Sequence, residues 1–466
     1  MPGLETRLRR HGLDQLPSVH PNLLVSGCDT LGDVRPNRWV VVLLAGAVVA
    51  GACSSRGKSL STSASTARST TTAAVNLQAT DVGVTPTEVR IAVIADVDNP
   101  IRPGLFKTAF DGVAAWAAKV NDRGGLAGRK VVVDKLDSKL SPDEYRNAVI
   151  KACQSDFAII GTIAVFDNAV DDLVKCGIPD LPSNPISNEH RTAPNTYPDN
   201  PANPAIQVVG QFKWVLANVK GCCAGYWLVP NQPIARESSL EIMNAATEIG
   251  VSKVHEIEVA GDEANYTPIV LDIKSRGATF VYDGLDYTST VRLRKEAQVQ
   301  GVKTVNAWVC VIACYTPSLL TEGGSAVEGE YVWIYHMPFE EASKVRAIKD
   351  YVDYTRRTGG EQGEFGINAY GAGLLLEQAV KQIVATGGPN GLKRSAVLEA
   401  LRGIHDFTGD GVFGATDVGA RKPPGCFVML QVRSGKFVRV HPSAPGTIDC
   451  NPANLQPTHV VQPGGT

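Results

Sequence analysis

The sequence predicts an α/β protein made of two doubly wound parallel-sheet lobes with a ligand cleft between them. Two observations carry this. Short β-branched runs alternate with helix-period segments from residue 88 onward, the pattern of a parallel sheet covered by helices on both faces. A Pro- and Asn-rich stretch, "PDNPANPAIQ" at 198–207, interrupts the alternation, which then restarts.

In the first unit, "EVRIAVIAD" (88–96) reads as a strand buried on both faces. "FKTAFDGVAAWAAKVND" (106–122) has helical periodicity, and "GGLAGRKVVVDKLDS" gives a turn and a second strand. "PDEYRNAVIKACQS" predicts a helix, "FAIIGT" (157–162) a third strand, "NAVDDLVKCG" a helix and "IPDLPSN" a fourth strand with its loop. The second unit repeats the architecture, not the sequence. Its strands are "GYWLVP", "VHEIEVA", "TFVYDG" and "TVNAWVC"; its helices are "SSLEIMNAATEIG", "YTPIVLDIKSRG" and "STVRLRKEAQVQG". Helices near 342–358 and 367–386 and over "LKRSAVLEALRGI" follow, and "GCFVMLQVRSGKFVRV" predicts a terminal hairpin. In open α/β sheets a ligand sits beyond the carboxyl ends of the strands. That singles out the loops after the third strand of the first unit and after the third and fourth strands of the second.

Before the first strand lies a different kind of segment. Residues 39–52, "WVVVLLAGAVVAGA", carry no charge. A membrane-spanning helix needs about 20 apolar residues, whereas the apolar part of a secretory signal peptide needs only roughly 7–15. Arg35 and Arg38 supply the positive flank, and Ala50, Gly51 and Ala52 precede Cys53. The segment resembles a bacterial lipobox, which implies cleavage before Cys53 and a lipid on its thiol, although Ala50 stands where Leu is usual. Residues 1–33 are expected to be an over-extended start, with translation beginning at Val34. Residues 53–86 are rich in Ser, Thr and Ala and are expected to be a flexible, lipid-anchored tether.

Composition excludes several classes. The chain has 45 basic and 47 acidic residues, so no basic field is present to hold a nucleic acid. No H-E-x-x-H, G-x-S-x-G or phosphate-loop motif occurs. No catalysis, metal or cofactor is expected. Of ten cysteines, Cys28 falls in the leader and Cys53 at the lipid site. The remaining even set points to disulfides outside the cytoplasm. Cys153 and Cys176 each end a helix flanking one strand, and right-handed winding places such helices side by side, so Cys153–Cys176 is expected. Cys426–Cys450 is expected as a clip on the tail. The pairing of Cys222, Cys223, Cys310 and Cys314 is left open.

"FDGVAAWAAKVNDRGGLAGRKVVVDKLDS", "NYTPIVLDIKSRGATFVYDG", "GINAYGAGLLLEQAVKQI" and "GDGVFGATDVGAR…FVMLQVRSGKFVRV" occur in this order over about 87–441. Together they resemble the leucine/isoleucine/valine-binding proteins, the type I substrate-binding lipoproteins of ABC importers. The resemblance implies two lobes, a three-segment hinge, a small ligand in the cleft and a closing motion. On that basis 87–205 and 338–405 form the first lobe, 206–337 and 406–445 the second, and 446–466 a tail.

The resemblance also implies site residues. In "GTIAVFDN" (161–168), Thr162 and the N–H groups of Ala164, Val165 and Phe166 are placed to grip a ligand carboxylate, with Asp167 capping the helix; a loop packed on itself is the bland alternative. In "PSNPISN" (182–188), Ser183 and Asn184 are placed as ligand contacts, although such residues also simply make turns. In "DGLDYTS" (283–289), Tyr287 is placed to close over the ligand, with Asp286 beside it. The family's acid for a ligand ammonium would fall near Cys310, which cannot replace it. Either Asp286 takes that role or the solute is not an ordinary α-amino acid; an organic acid, amide or other small polar metabolite is favoured. The expected protein is a monomeric, lipid-anchored, extracytoplasmic capturer of a small molecule, serving an ABC permease and its ATPase. A sensor of the same fold is the alternative.

Overall fold

A computed structural model describes residues 75–458. The leader, Val34, Cys53 and residues 459–466 lie outside the described residues. The first elements are β1 (Glu88–Ala95), α1 (Lys107–Asp122), β2 (Lys130–Asp137), α2 (Pro142–Ser155), β3 (Ala158–Ile160), α3 (Val170–Cys176), β4 (Asp180–Leu181) and α4 (Asn188–Thr192). Then come β5 (Ile206–Val208), α5 (Gly210–Asn218), β6 (Ala224–Pro230), α6 (Pro233–Glu248), β7 (Ser252–Val259), α7 (Thr267–Ser275), β8 (Phe280–Asp283), α8 (Tyr287–Val299), β9 (Ala307–Cys310), α9 (Pro317–Gly323) and β10 (Tyr331–Ile334). The chain continues through α10 (Arg346–Arg357), α11 (Glu364–Gly387), α12 (Arg394–Arg402), β11 (Val428–Arg433), β12 (Lys436–His441) and β13 (Leu455–Pro457).

Two main sheets organise these elements. The first has the order β2-β1-β3-β4 and is parallel. The second has the order β12-β11-β10-β9-β8-β6-β7; it is parallel from β7 to β10 and antiparallel through the β11–β12 hairpin. Strand period 2 divides each central strand between two cores. Ile91 and Val93 face one core while Ala92 and Ile94 face another. Trp227 and Val229 face opposite to Tyr226 and Leu228. This explains why β1 and β6 read as unbroken apolar runs.

The chain passes three times between the largest core of the first lobe, which holds Ile91 and Val93, and that of the second, which holds Trp227 and Val229. Tyr197 belongs to the first and Val209 to the second; Trp333 lies in the second and Met337 in the first; Val418 lies in the first and Phe427 in the second. Phe407, Val412 and Phe413, placed in the second lobe from the sequence, pack in the first core. The end of the expected tether does the same: Val84 is buried there, and the Gln78 carbonyl accepts from Arg129 Nη2 at 2.9 Å. Helices α1 and α11 meet at Gly112, where a Cβ would collide with the Gly366 carbonyl.

Helices α4, α5 and α9 and strand β10 were not expected from the sequence. Residues 210–218 follow directly on the Pro-rich crossing, and "YVWI" is too short for its period to distinguish it from loop. Among the described residues no helix is long and apolar enough to cross a membrane, and no group of three or more His, Cys, Asp or Glu could hold a metal ion.

Four disulfides are present among the described residues. Cys153–Cys176 joins α2 to α3 and Cys426–Cys450 ties the tail. Cys222 pairs with Cys223 and Cys310 with Cys314, the choice the sequence left open. Cys153 and Cys176 are 23 residues apart, and loop closure in the unfolded chain makes such a bond worth about 3 kcal/mol. Replacing both with serine is expected to lower the free energy of unfolding by that amount, measured by urea titration without reductant.

Candidate functional site

In each lobe the strand order reverses between neighbours, β1 with β3 and β6 with β8, and crevices open at such switch points. The two crevices face one another. Between them lies a cavity of about 530 Å³ whose walls come from the loops after β1, β3, β4, β6, β8, β9 and β10. The first lobe contributes Phe106, Ile163 and Val165, together with Phe365 from α11. The Phe106 and Phe365 rings meet edge to face, 5.0 Å apart.

The loop after β1 is held by Asn99, whose side chain accepts from the Arg102 N–H at 2.7 Å and donates to the Arg102 carbonyl at 2.9 Å. This turn carries Arg102 across the cleft, and its Nη1 lies 3.2 Å from Asp286 Oδ2. Asp286 also caps α8, accepting from the Ser289 N–H at 2.9 Å. Burial pushes the Asp286 carboxyl up, and the Arg102 guanidinium and the helix N–H groups oppose that rise.

A second polar contact closes the opposite side. The α4 side chains Asn188 and Arg191 reach α6 of the other lobe. Arg191 Nη1 is 2.8 Å from Glu241 Oε2, and Nη2 is 2.7 Å from Ser238 Oγ. Asn188 Nδ2 donates to Glu237 at 2.7 Å and to Glu241 at 3.1 Å. Glu241 is fully buried. Behind this latch, His190 lies between two carboxylates, 2.9 Å from Asp167 and 2.7 Å from Asp180. Burial alone would lower the His190 pKa; the Asp180 and Asp167 charges outweigh it and hold the imidazolium up to about 10. Asp167 also accepts from the Ile186 and Ser187 N–H groups at 2.6 and 2.9 Å. The charge cluster thus shapes the loop that presents Asn184 and Ile186 to the cleft.

Deeper in the second lobe the cavity is walled by Ile242, Val311, Ile312, Tyr282, Trp333 and Tyr335. Val311 and Ile312 sit inside the small loop closed by Cys310–Cys314. Glu364, at the start of α11, is 2.7 Å from His336 Nε2, and His336 Nδ1 donates to the Met337 carbonyl at 2.7 Å.

A match to the family described as periplasmic binding protein spans residues 88–436. The chain belongs to the periplasmic binding protein family. Solved structures share its fold. A leucine binding protein from Thermotoga maritima is 18% identical at a TM-score of 0.63, covering 78% of this chain and 99% of that one. A fatty acid ABC transporter substrate-binding protein from Thermomonospora curvata is 16% identical at 0.66, covering 77% and 93%. A solute binding protein from R. palustris, in complex with benzoate, is 17% identical at 0.64, covering 78% and 98%. No curated protein matches the chain in sequence.

In this periplasmic binding protein, Val165, Asn184, Asp286 and Tyr287 line the cleft. Thr162, Ala164, Phe166 and Ser183 do not. The side chains of Ala164 and Phe166, which were named for their N–H groups, pack in the core with Ile94 and Leu136 and against the first core. Thr162 is buried, with its carbonyl accepting the Ser183 N–H at 2.9 Å. Ser183 Oγ donates to the Phe365 carbonyl at 3.2 Å. The Val165 N–H, expected to face an anion, donates to Asp96 Oδ2 at 2.7 Å. Asp167 does not cap α3, whose N-cap is Ala169 with no side-chain bond. Arg102, Arg191, Glu241 and the aromatic pair Phe106–Phe365 were missed. The signal for Arg102 was "DNPIRPG", a turn-rich segment directly after the first strand.

Proposed function

We propose that this chain is an extracytoplasmic, lipid-anchored solute-binding protein of an ABC importer. It captures a small molecule between its lobes and presents it to a membrane permease and its ATPase. The observation that carries this is the cavity at two facing switch points, bridged by Arg102–Asp286 and Arg191–Glu241. Family membership supports a binding role on this scaffold, and the lipobox-like "AGAC" at 50–53 supports the anchor. Deleting the gene is expected to abolish uptake of the solute that stabilises the purified protein against heat. Unchanged uptake with loss of a transcriptional or signalling response would assign the chain as a sensor instead. Changing Cys53→Ser is expected to leave an uncleaved or released protein; a variant still processed at that residue and partitioning into detergent would refute the anchor.

A further inference from the structure

We propose that the cleft takes an uncharged, largely apolar small molecule bearing hydroxyl, carbonyl or amide groups, rather than a zwitterion or a free carboxylate. The inference deepens the solute-binding reading above and rests on it. Three features of the cleft support it.

The first is charge balance. The buried charges of Arg102 and Arg191 at the cleft wall are already paired inside the protein, with Asp286 and Glu241, and Glu364 lies 2.7 Å from His336 Nε2; the exposed Arg292, also on the wall, donates to the Glu263 carbonyl. A ligand carboxylate that captured Arg102 would strand Asp286. A ligand ammonium that captured Asp286 would strand Arg102. Breaking a buried pair by withdrawing one partner leaves an uncompensated charge out of water, which is strongly unfavourable. In the loop after β3, the Val165 N–H is taken by Asp96.

The second is the nature of the unsatisfied groups. Four buried atoms of cavity-lining residues make no hydrogen bond among the described residues: Arg102 Nη1, which faces Asp286 at 3.2 Å, and Tyr282 Oη, Trp333 Nε1 and Gln211 Oε1, of which the Tyr282 and Trp333 groups lie beside one another. Buried polar groups in folded proteins are ordinarily paired. The Tyr282, Trp333 and Gln211 groups are neutral, with two donors and an acceptor between them, and the Arg102 atom already faces a carboxylate. Hydroxyl, carbonyl or amide groups would match them, and a full charge would not.

The third is size and wall chemistry. Phe106, Phe365, Ile242, Val311, Ile312 and Trp333 contribute apolar surface from both lobes. A volume of about 530 Å³ lies within the ordinary range of small-molecule pockets, about 300–1,000 Å³.

The test uses the full chain and ligands matched in body but not in charge. One series is octanamide, octanoate and 2-aminooctanoate. The other is cyclohexanecarboxamide, cyclohexanecarboxylate and cyclohexylglycine. Binding is followed by calorimetry and by tryptophan fluorescence, since Trp333 lines the cavity. In at least one series the amide is expected to bind tenfold or more tighter than its carboxylate and amino-acid partners. Equal or tighter binding by a charged member overturns the inference while leaving the solute-binding reading intact. No binding by any member also overturns it, and the uptake experiment then judges the solute-binding reading separately.

Discussion

Replacing His190 with alanine is expected to destabilise the protein by about 3–5 kcal/mol, because it strands charge rather than merely removing a contact. Asp167 and Asp180 would both remain buried, with their imidazolium gone. Urea unfolding at neutral pH measures the loss. Adding Asp180→Asn to the His190→Ala variant removes one stranded charge and should recover part of it, a coupling that a simple cavity would not show. The same cluster has a pH signature. His190 is held up to about 10 from an ordinary value of 6.5, so between these values the folded chain binds a proton the unfolded chain has lost. Its stabilisation is therefore complete below pH 6.5 and is lost as the pH rises toward 10. The His190→Ala variant should lack this decline. An equal slope in both proteins would show that the cluster is not charged as described.

Arg191→Met should open the cleft. While the lobes are together, Glu241 is fully buried with Arg191 as its guanidinium partner. Without Arg191 the carboxylate keeps only the amide donors of Asn188 and Gln207, neither of which carries charge. Opening would return it to water. The closed form is thus penalised relative to the open one, by about 3 kcal/mol, roughly a hundredfold in population. Small-angle scattering should show a larger radius of gyration, and amide exchange should accelerate around residues 185–192 and 235–241. Restoring neutrality with Glu241→Gln in the same chain should bring both readings back toward wild type. An unchanged radius with unchanged exchange would mean that the latch does not hold the lobes.

Much of the architecture was legible because it depends on local pattern. Residues 88–96 could hardly be anything but a strand buried on both sides, and β1 is one. Where a segment was short or abutted a prolyl crossing, as at α5 and β10, local pattern did not separate element from loop. Of the expected site residues, Thr162, Ala164, Phe166 and Ser183 do not line the cleft. Thr162 belongs to the loop after β3, as read, yet its neighbours in the packed core decide that its side chain faces inward. One residue along an extended segment reverses the direction of a side chain, and nothing local says which residue begins the turn.

The sequence by itself determined the class of fold, the repetition of the α/β unit, the ends of the strands where a cleft must form, and the surplus of cysteines. These follow from periodicity, turn chemistry and composition, which act over a few residues. Only the tertiary structure decided how the cysteines at 222, 223, 310 and 314 pair, that Asp286 is already matched with Arg102, and that Arg191 reaches Glu241. Arg102 and Asp286 are separated by 184 positions in the chain, and Arg191 and Glu241 by 50. Whether a charge in the cleft is free for a ligand or spent on a neighbour depends on which loops the two lobes bring together. That juxtaposition is set by the packing of whole sheets and helices, not by anything encoded beside either residue.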